Sequence, residues 1–130
     1  MITEDYCSYE VAKLLKEKGF DTFKPYGWDE ELFDKEHPRN FSLGFDSKEH
    51  WISCPTHQMA MKWLRKVHNI LLWIIPAQEN GKLVYIVEVW TWNKEKGIYE
   101  STYVPIPRKE PEQAVESALK HCLKNIKTKI

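Results

Sequence analysis

The sequence predicts one α+β domain spanning residues 1–130. Three observations predict this class. Helical periodicity of apolar residues recurs near both ends and in the middle of the chain. Strand-like apolar runs follow the middle helix, and an Asn-Gly dipeptide divides them. The predicted order is helix, aromatic segment, helix, three-stranded antiparallel meander and helix, with the helices on one face of the sheet.

The first predicted helix runs from Ser8 to Gly19. Ser8 suits an N-cap because its hydroxyl accepts a free amide of the first turn, and Gly19 suits the end of a helix. Val11, Leu14 and Leu15 give this helix an apolar stripe that faces a core.

Residues 20–50, here called the aromatic segment, contain five Phe, one Tyr and one Trp among many acidic residues. We expect loops here, with one strand near Phe41–Phe45. A long aromatic loop usually packs on another element or binds a partner.

The second predicted helix covers Pro55–Val67 and begins at Pro55 or Thr56, which suit a first turn and a cap. Its apolar positions are Met59, Ala60, Trp63, Leu64 and Val67. Its opposite side, here called the basic face, holds Lys62, Arg65 and Lys66. The last predicted helix covers Glu112–Ile126, and its core stripe is Val115, Ala118, Leu119, Cys122 and Ile126.

The Asn-Gly dipeptide at 80–81 predicts a tight hairpin between two apolar strands. If Glu79 pairs with Lys82, the register places Trp73 opposite Glu88. A glycine at position 97 predicts a second hairpin, so three antiparallel strands follow the second helix.

This register assigns the side chains of the first hairpin to two faces of the sheet. The aliphatic face, expected to lie under the helices, holds Ile70, Leu72, Ile74, Tyr85, Val87 and Val89. The other face, here called the Trp-rich face, holds Leu71, Trp73, Ile75, Val84, Ile86, Glu88, Trp90 and Trp92. It is too apolar to face solvent, so we expect the aromatic segment, a second protomer or a ligand to cover it. Its one acid, Glu88, is expected to pair with a basic residue.

The formal net charge is zero, which gives no global signature of nucleic-acid or membrane binding. Cys7, Cys54 and Cys122 have no framework spacing, and such cysteines suit a reducing cytoplasm. The first residues lack the pattern of a signal peptide, and the longest apolar run is too short to span a membrane. We therefore expect a cytoplasmic protein without membrane association.

Cys54 and His57 are spaced to meet on a first helical turn, as a nucleophile and base or as part of a zinc site. His68 lies about 16 Å from His57 at about 1.5 Å per residue, so the two histidines cannot bind one ion. The ordinary interpretation is a cysteine half in the core beside an exposed histidine. We expect no catalytic residue, cofactor or metal ion.

Three stretches, SYEVAKLLKEKGF, CPTHQMAMKWLRKVHNI and EQAVESALKHCLKNI, resemble a recurrent group of short proteins from gut bacteria, their phages and prophages. In that group a helix ending in K-G-F precedes an aromatic stretch, the pattern P-T-x-x-x-A-x-x-W-L-R, two or three strands and a closing amphipathic helix. The resemblance covers most of the chain outside residues 24–50. It implies a phage or mobile-element origin and this fold, rather than a reaction.

These observations favour a non-enzymatic accessory protein that binds a protein partner, or a second copy of itself, through Trp73, Glu88, Trp90 and Trp92 of the Trp-rich face. A first alternative is a nucleic-acid-binding module that uses the basic face. From Pro55 onward the element order resembles that of a double-stranded-RNA-binding domain, but the closing helix begins with acids rather than lysines. A second alternative is a small enzyme that uses Cys54 and His57.

Overall fold

The computed structural model describes residues 4–31 and 34–126, with their side chains except those of residues 103–106. The described residues form three α-helices and two antiparallel sheets of three strands each. This architecture confirms the predicted α+β class and the predicted element order from the second helix onward. The elements are α1 Tyr9–Glu17, β1 Tyr26–Asp29, β2 Arg39–Asn40, β3 Trp51–Ser53, α2 His57–His68, β4 Ile70–Glu79, β5 Lys82–Asn93, β6 Ile98–Arg108 and α3 Pro111–Asn125.

Local capping residues set the ends of α1 and α2, as the sequence predicts. The Ser8 hydroxyl accepts the Val11 amide at 3.2 Å, and the Thr56 hydroxyl accepts the Met59 amide at 3.2 Å. Gly19 adopts a φ of 106° just after α1, a conformation that disfavours side chains with a Cβ. The starts of α1 and α2 and the end of α1 are therefore set by residues at those positions of the sequence.

The strands β4, β5 and β6 form the predicted meander in that order. Glu79 pairs with Lys82 and Trp73 pairs with Glu88, so the predicted register is confirmed. Asn80 and Gly81 both adopt positive φ, as a tight two-residue hairpin requires.

The main core lies between the aliphatic face and all three helices, which confirms the predicted layering. Val11 and Leu15 of α1, Leu64 of α2 and Leu119 of α3 pack with Val87 of β5 in one buried cluster. Of the apolar positions predicted for α2, Ala60 and Leu64 are buried, but Val67 is exposed. The prediction for Val67 was wrong because the helix turns it away from the sheet in its last turn.

The aromatic segment contributes β1 and β2 to a second sheet, with strand order β2-β1-β3, instead of the single strand expected near Phe41–Phe45. Residues 41–46 form a turn in which the Ser42 carbonyl accepts the Asp46 amide at 2.8 Å. The Asp46 carboxylate accepts the Ser42 amide and pairs with the Arg39 guanidinium, which holds that turn closed. These polar contacts, which the alternation of apolar residues does not reveal, replace the expected strand.

The second sheet packs on α1 through Trp28 and Ile52, which join Ala12 and Cys54 in a small buried cluster. The aromatic segment therefore has its own packing partner. It does not cover the Trp-rich face, whose Trp73, Leu71 and Trp92 stay exposed. No helix within the described residues is both long and apolar enough to cross a bilayer.

Candidate functional site

A buried histidine and a carboxylate meet where the N-termini of α1 and α2 reach α3. His57 Nε2 lies 3.1 Å from Glu116 Oε1. The same carboxylate accepts the Ser8 amide at 2.7 Å and the Ser8 hydroxyl at 2.9 Å. The Ser8 hydroxyl thus donates to Glu116 while it accepts the Val11 amide as the cap of α1.

Backbone pairing of two distant segments positions these side chains. The Cys7 amide donates to the Pro55 carbonyl at 3.0 Å, and the His57 amide donates to the Asp5 carbonyl at 2.8 Å. The segment before α1 therefore runs antiparallel to the segment before α2. This pairing brings Ser8 and His57 onto the same face of α3, opposite Glu116.

The environment keeps Glu116 ionised. Burial opposes ionisation, but hydrogen bonds from His57 and Ser8 and the nearby imidazole charge together lower the pKa of the carboxyl below its ordinary value. Because a carboxylate only accepts hydrogen bonds, its three short contacts are with donors that stabilise the charge.

His57 is 5% exposed, so the expectation of an exposed histidine was wrong. A cleft of about 380 Å³ opens beside His57 and Glu116, and its other charged lining residues are Asp5, Arg108 and Glu112. The lining is acidic overall, since three carboxylates face one guanidinium. Arg108 Nε donates to the Ser117 hydroxyl at 3.0 Å, which fixes the guanidinium at the edge of the cleft.

The geometry does not pair Cys54 with His57 as a nucleophile and base. Cys54 Sγ donates to the Cys7 carbonyl at 3.3 Å, while the His57 ring forms its hydrogen bond with Glu116. Burial and the Glu116 charge raise the pKa of the Cys54 thiol to about 12. A thiol with that pKa holds its proton at neutral pH, so it is a poor nucleophile.

Cys7, rather than Cys54, joins the histidine and the carboxylate. Cys7 Sγ, a ring nitrogen of His57 and a carboxylate oxygen of Glu116 all lie within 4.8 Å of one another. Sequence spacing gave no sign of this group, because its members are separated by 50 and 59 positions (57 − 7 and 116 − 57). Its one sequence signal is Glu116 itself, an acid next to the apolar stripe of α3.

The Trp-rich face forms a second candidate site. Trp73 is 60% exposed, Leu71 is 42% exposed and Trp92 is 39% exposed. Tyr99 of β6 extends the surface, because its ring centroid lies 5.0 Å from that of Trp92. Of the three covers expected for this face, the aromatic segment was therefore wrong within the described residues, while a second protomer and a ligand stay predictions.

Glu88 lies in the middle of this face and is nonetheless 9% exposed. Trp73 lies opposite it on β4, and Trp90 follows it on the same face of β5. No hydrogen bond or ion pair joins the Glu88 carboxylate to another described residue, so the expected pairing with a basic residue was wrong within the described chain. The indole Nε1 of Trp90 is also buried and has no acceptor among the described residues.

The basic face of α2 is exposed along its whole length. Lys62, Arg65 and Lys66 all reach solvent, and none of them has an ion pair within residues 4–31 and 34–126. A groove of about 350 Å³ separates Lys62 and Arg65 from Leu71 and Leu72 at the start of β4.

Comparison with known proteins gives no relative: no protein-family model, curated protein or solved structure matches the chain.

Proposed function

We propose that the chain is a non-enzymatic accessory protein of phage or mobile-element type, which acts in the cytoplasm by binding a partner protein through the Trp-rich face. The observation that carries this proposal is the exposure of Trp73, Trp92 and Leu71 on one sheet face. Soluble monomers rarely leave such contiguous apolar surfaces open, and Trp is strongly enriched among residues that dominate binding energy. The phage or mobile-element setting is supported by the sequence resemblance alone.

Glu88 supports a specific chemistry for the partner. A sheltered carboxylate loses hydration, and a partner that covered it with apolar atoms alone would leave a buried charge uncompensated. A Lys or Arg side chain within an apolar surface would instead neutralise Glu88 while the surrounding side chains contact Trp73 and Trp90. The proposed partner is therefore a protein that presents such a cation at the centre of its binding surface.

The same residue argues against two other occupants of this face. A face-to-face pair of identical chains would bring two Glu88 carboxylates into one apolar layer, where like charges repel. A nucleic acid would bring phosphates to a surface whose central charge is negative. A partner of different sequence avoids both costs.

The proposal is tested in two stages. Analytical ultracentrifugation of the purified chain first establishes whether it self-associates. A partner captured from prophage-carrying or infected cells is then purified, and its Kd is measured for the wild type and for Trp73→Ala, Glu88→Gln and Phe45→Ala. We expect Trp73→Ala and Glu88→Gln each to weaken binding by about 2 kcal/mol, roughly thirtyfold.

Phe45→Ala is the matched control, because Phe45 is an exposed aromatic residue in the turn after β2, outside the Trp-rich face. It should leave the Kd unchanged. The proposal is overturned if Trp73→Ala and Glu88→Gln bind the purified partner like the wild type. It is also overturned if the chain is a stable dimer that Trp73→Glu converts to monomers, since the occupant would then be a second copy.

A second candidate function, nucleic-acid binding by the basic face, is supported by the exposure of Lys62, Arg65 and Lys66. These cations lie on successive turns of one helix, where they could contact neighbouring phosphates. Fluorescence anisotropy with single- and double-stranded oligonucleotides at low and high salt tests this candidate. Reversing the three charges should abolish salt-sensitive binding, whereas reversing Lys94 in the second hairpin should not. If the triple charge-reversal variant and the Lys94 variant bind oligonucleotides with equal affinity, the basic face is excluded as the nucleic-acid-binding surface.

A further inference from the structure

We propose that Cys7, His57 and Glu116 form a binding site for a divalent transition-metal ion of the zinc class. The three side chains come from the segment before α1, the first turn of α2 and the middle of α3. Their ligand atoms already lie within 4.8 Å of one another. Nothing in the proposed role of the Trp-rich face depends on this site.

The donor set selects the class of ion. Thiolate sulfur and imidazole nitrogen favour zinc and its neighbours over Mg²⁺ and Ca²⁺, which take oxygen ligands. A thiolate and a carboxylate together carry two negative charges, so a divalent ion bound between them gives a neutral group. That neutrality matters because Cys7 and His57 are buried, and a net charge there would be costly.

The distances between the ligand atoms require only a small adjustment. Tetrahedral ligands at about 2.0–2.3 Å from zinc lie roughly 3.3–3.8 Å from one another. The His57–Glu116 pair, at 3.1 Å, lies just below this range, so these two atoms would only have to separate slightly. The Cys7 sulfur would have to approach the other two atoms by about 1 Å at most.

The groups around the three ligands are arranged as metal sites require. The Ser8 amide and hydroxyl hold the Glu116 carboxylate at 2.7 and 2.9 Å, and hydrogen bonds of this kind orient metal-binding carboxylates. The cleft beside His57 and Glu116 leaves room for a water or another small ligand at the fourth position. Asp5 and Glu112 in its lining favour the entry of a cation.

The proton balance of binding is simple. The Cys7 thiol loses its proton to solvent as the sulfur–metal bond forms. His57 Nε2, which donates to Glu116 in the metal-free protein, must also give up its proton before its lone pair can bind the ion, whereas Glu116 is already a carboxylate. One divalent ion therefore enters and at least one proton leaves, so binding weakens as the pH falls.

Cobalt(II) titration of the reduced, chelator-treated full chain tests the site. We expect one Co²⁺ per chain, a thiolate-to-cobalt charge-transfer band in the near ultraviolet, and loss of that band when Zn²⁺ is added. Cys7→Ser should abolish the band, and His57→Ala should weaken Co²⁺ binding at least tenfold. Cys54→Ser is the matched control, because Cys54 is a buried thiol beside Cys7 but outside the group of three.

Circular dichroism of each variant distinguishes loss of the metal site from loss of the fold. If a variant unfolds, the titration of the wild type still tests whether the site binds a metal ion. The proposal is overturned if the folded wild type shows no charge-transfer band. It is equally overturned if the band survives Cys7→Ser and disappears with Cys54→Ser or Cys122→Ser.

Discussion

His57 Nε2 and Glu116 Oε1 lie 3.1 Å apart and join the first turn of α2 to the middle of α3. Ser8 extends this contact to α1 through two hydrogen bonds to the same carboxylate. The Glu116 side chain therefore connects the N-terminal ends of α1 and α2 to α3. A chelator keeps the protein metal-free in each of the measurements below.

Removal of the Glu116 carboxylate should destabilise the fold. Glu116→Ala leaves the buried His57 ring and the Ser8 amide without their acceptor, and such losses cost about 2–4 kcal/mol. Urea denaturation of the wild type and the variant measures the difference in the free energy of unfolding. Glu112→Ala, one turn earlier on the same helix, is an exposed control that should change it by less than about 0.5 kcal/mol. Equal effects of the two substitutions would show that the Ser8–Glu116–His57 contacts do not stabilise the fold.

The same carboxylate should make stability depend on pH. The folded state holds the pKa of Glu116 below its ordinary value of 4.5, so the ionised form favours folding. This contribution is fully present above pH 4.5 and is lost as the pH falls through the folded-state pKa. In Glu116→Gln, the free energy of unfolding should fall less steeply with acidification below that pH.

The slope should not vanish in Glu116→Gln, because the Arg39 guanidinium also holds the pKa of Asp46 well below its usual range. Urea denaturation at a series of pH values gives both slopes. Identical slopes in the wild type and Glu116→Gln would mean that Glu116 titrates alike in the folded and unfolded chains.

A side chain at position 27 should break the second sheet. Gly27 lies in the central strand β1, and a Cβ there would collide with the Ile52 carbonyl oxygen of β3. Because the Ile52 carbonyl belongs to a paired strand, it cannot move away as a flexible side chain could. Gly27→Ala should therefore lower the free energy of unfolding by about 1–3 kcal/mol. Thermal and urea unfolding measure the loss. Asn40→Ala, an exposed change in β2, is the control, and a Gly27→Ala protein as stable as that control would contradict the close packing of Gly27 against Ile52.

The three cysteines should be unreactive in the native protein. All are buried, and burial raises the pKa of the Cys122 thiol to about 11 and, together with the Glu116 charge, that of Cys54 to about 12. In buffer at pH 8, a thiol-titrating disulfide reagent should therefore react slowly with the native protein. In urea it should react with all three cysteines. Ser47→Cys places a thiol on an exposed loop and should add one fast-reacting group. A fast-reacting thiol in the wild type would mean that one of these cysteines is accessible.

Features with local causes could be predicted from the sequence. The Asn80-Gly81 turn determines the pairing of β4 with β5, since two positive φ values at adjacent positions permit few alternatives. The caps of α1 and α2 likewise depend on residues within three positions of each helix start. The two faces of the meander followed from that register alone.

Features with distant causes could not be predicted. The strand β1 has only four residues, and its burial depends on Gly27 meeting a strand some 25 positions later. Glu116 could not be singled out among the acids of α3 because its partners lie 59 and 108 positions away. The apolar neighbours of Glu88 mark it as unusual in the sequence. Only the structure shows that its carboxylate has no partner among the described residues.

The contact between Ser8 and Glu116 also bears on the order in which the chain folds. It closes a loop of 108 residues, and long closures form late because they carry the largest entropic cost. The β4–β5 hairpin, whose contacts are local, is the natural starting point. During synthesis, α1 and α2 exist without their shared anchor until α3 has been made. Partly made chains therefore expose the aliphatic face as well as the Trp-rich face, and that interval is when the protein is most exposed to aggregation.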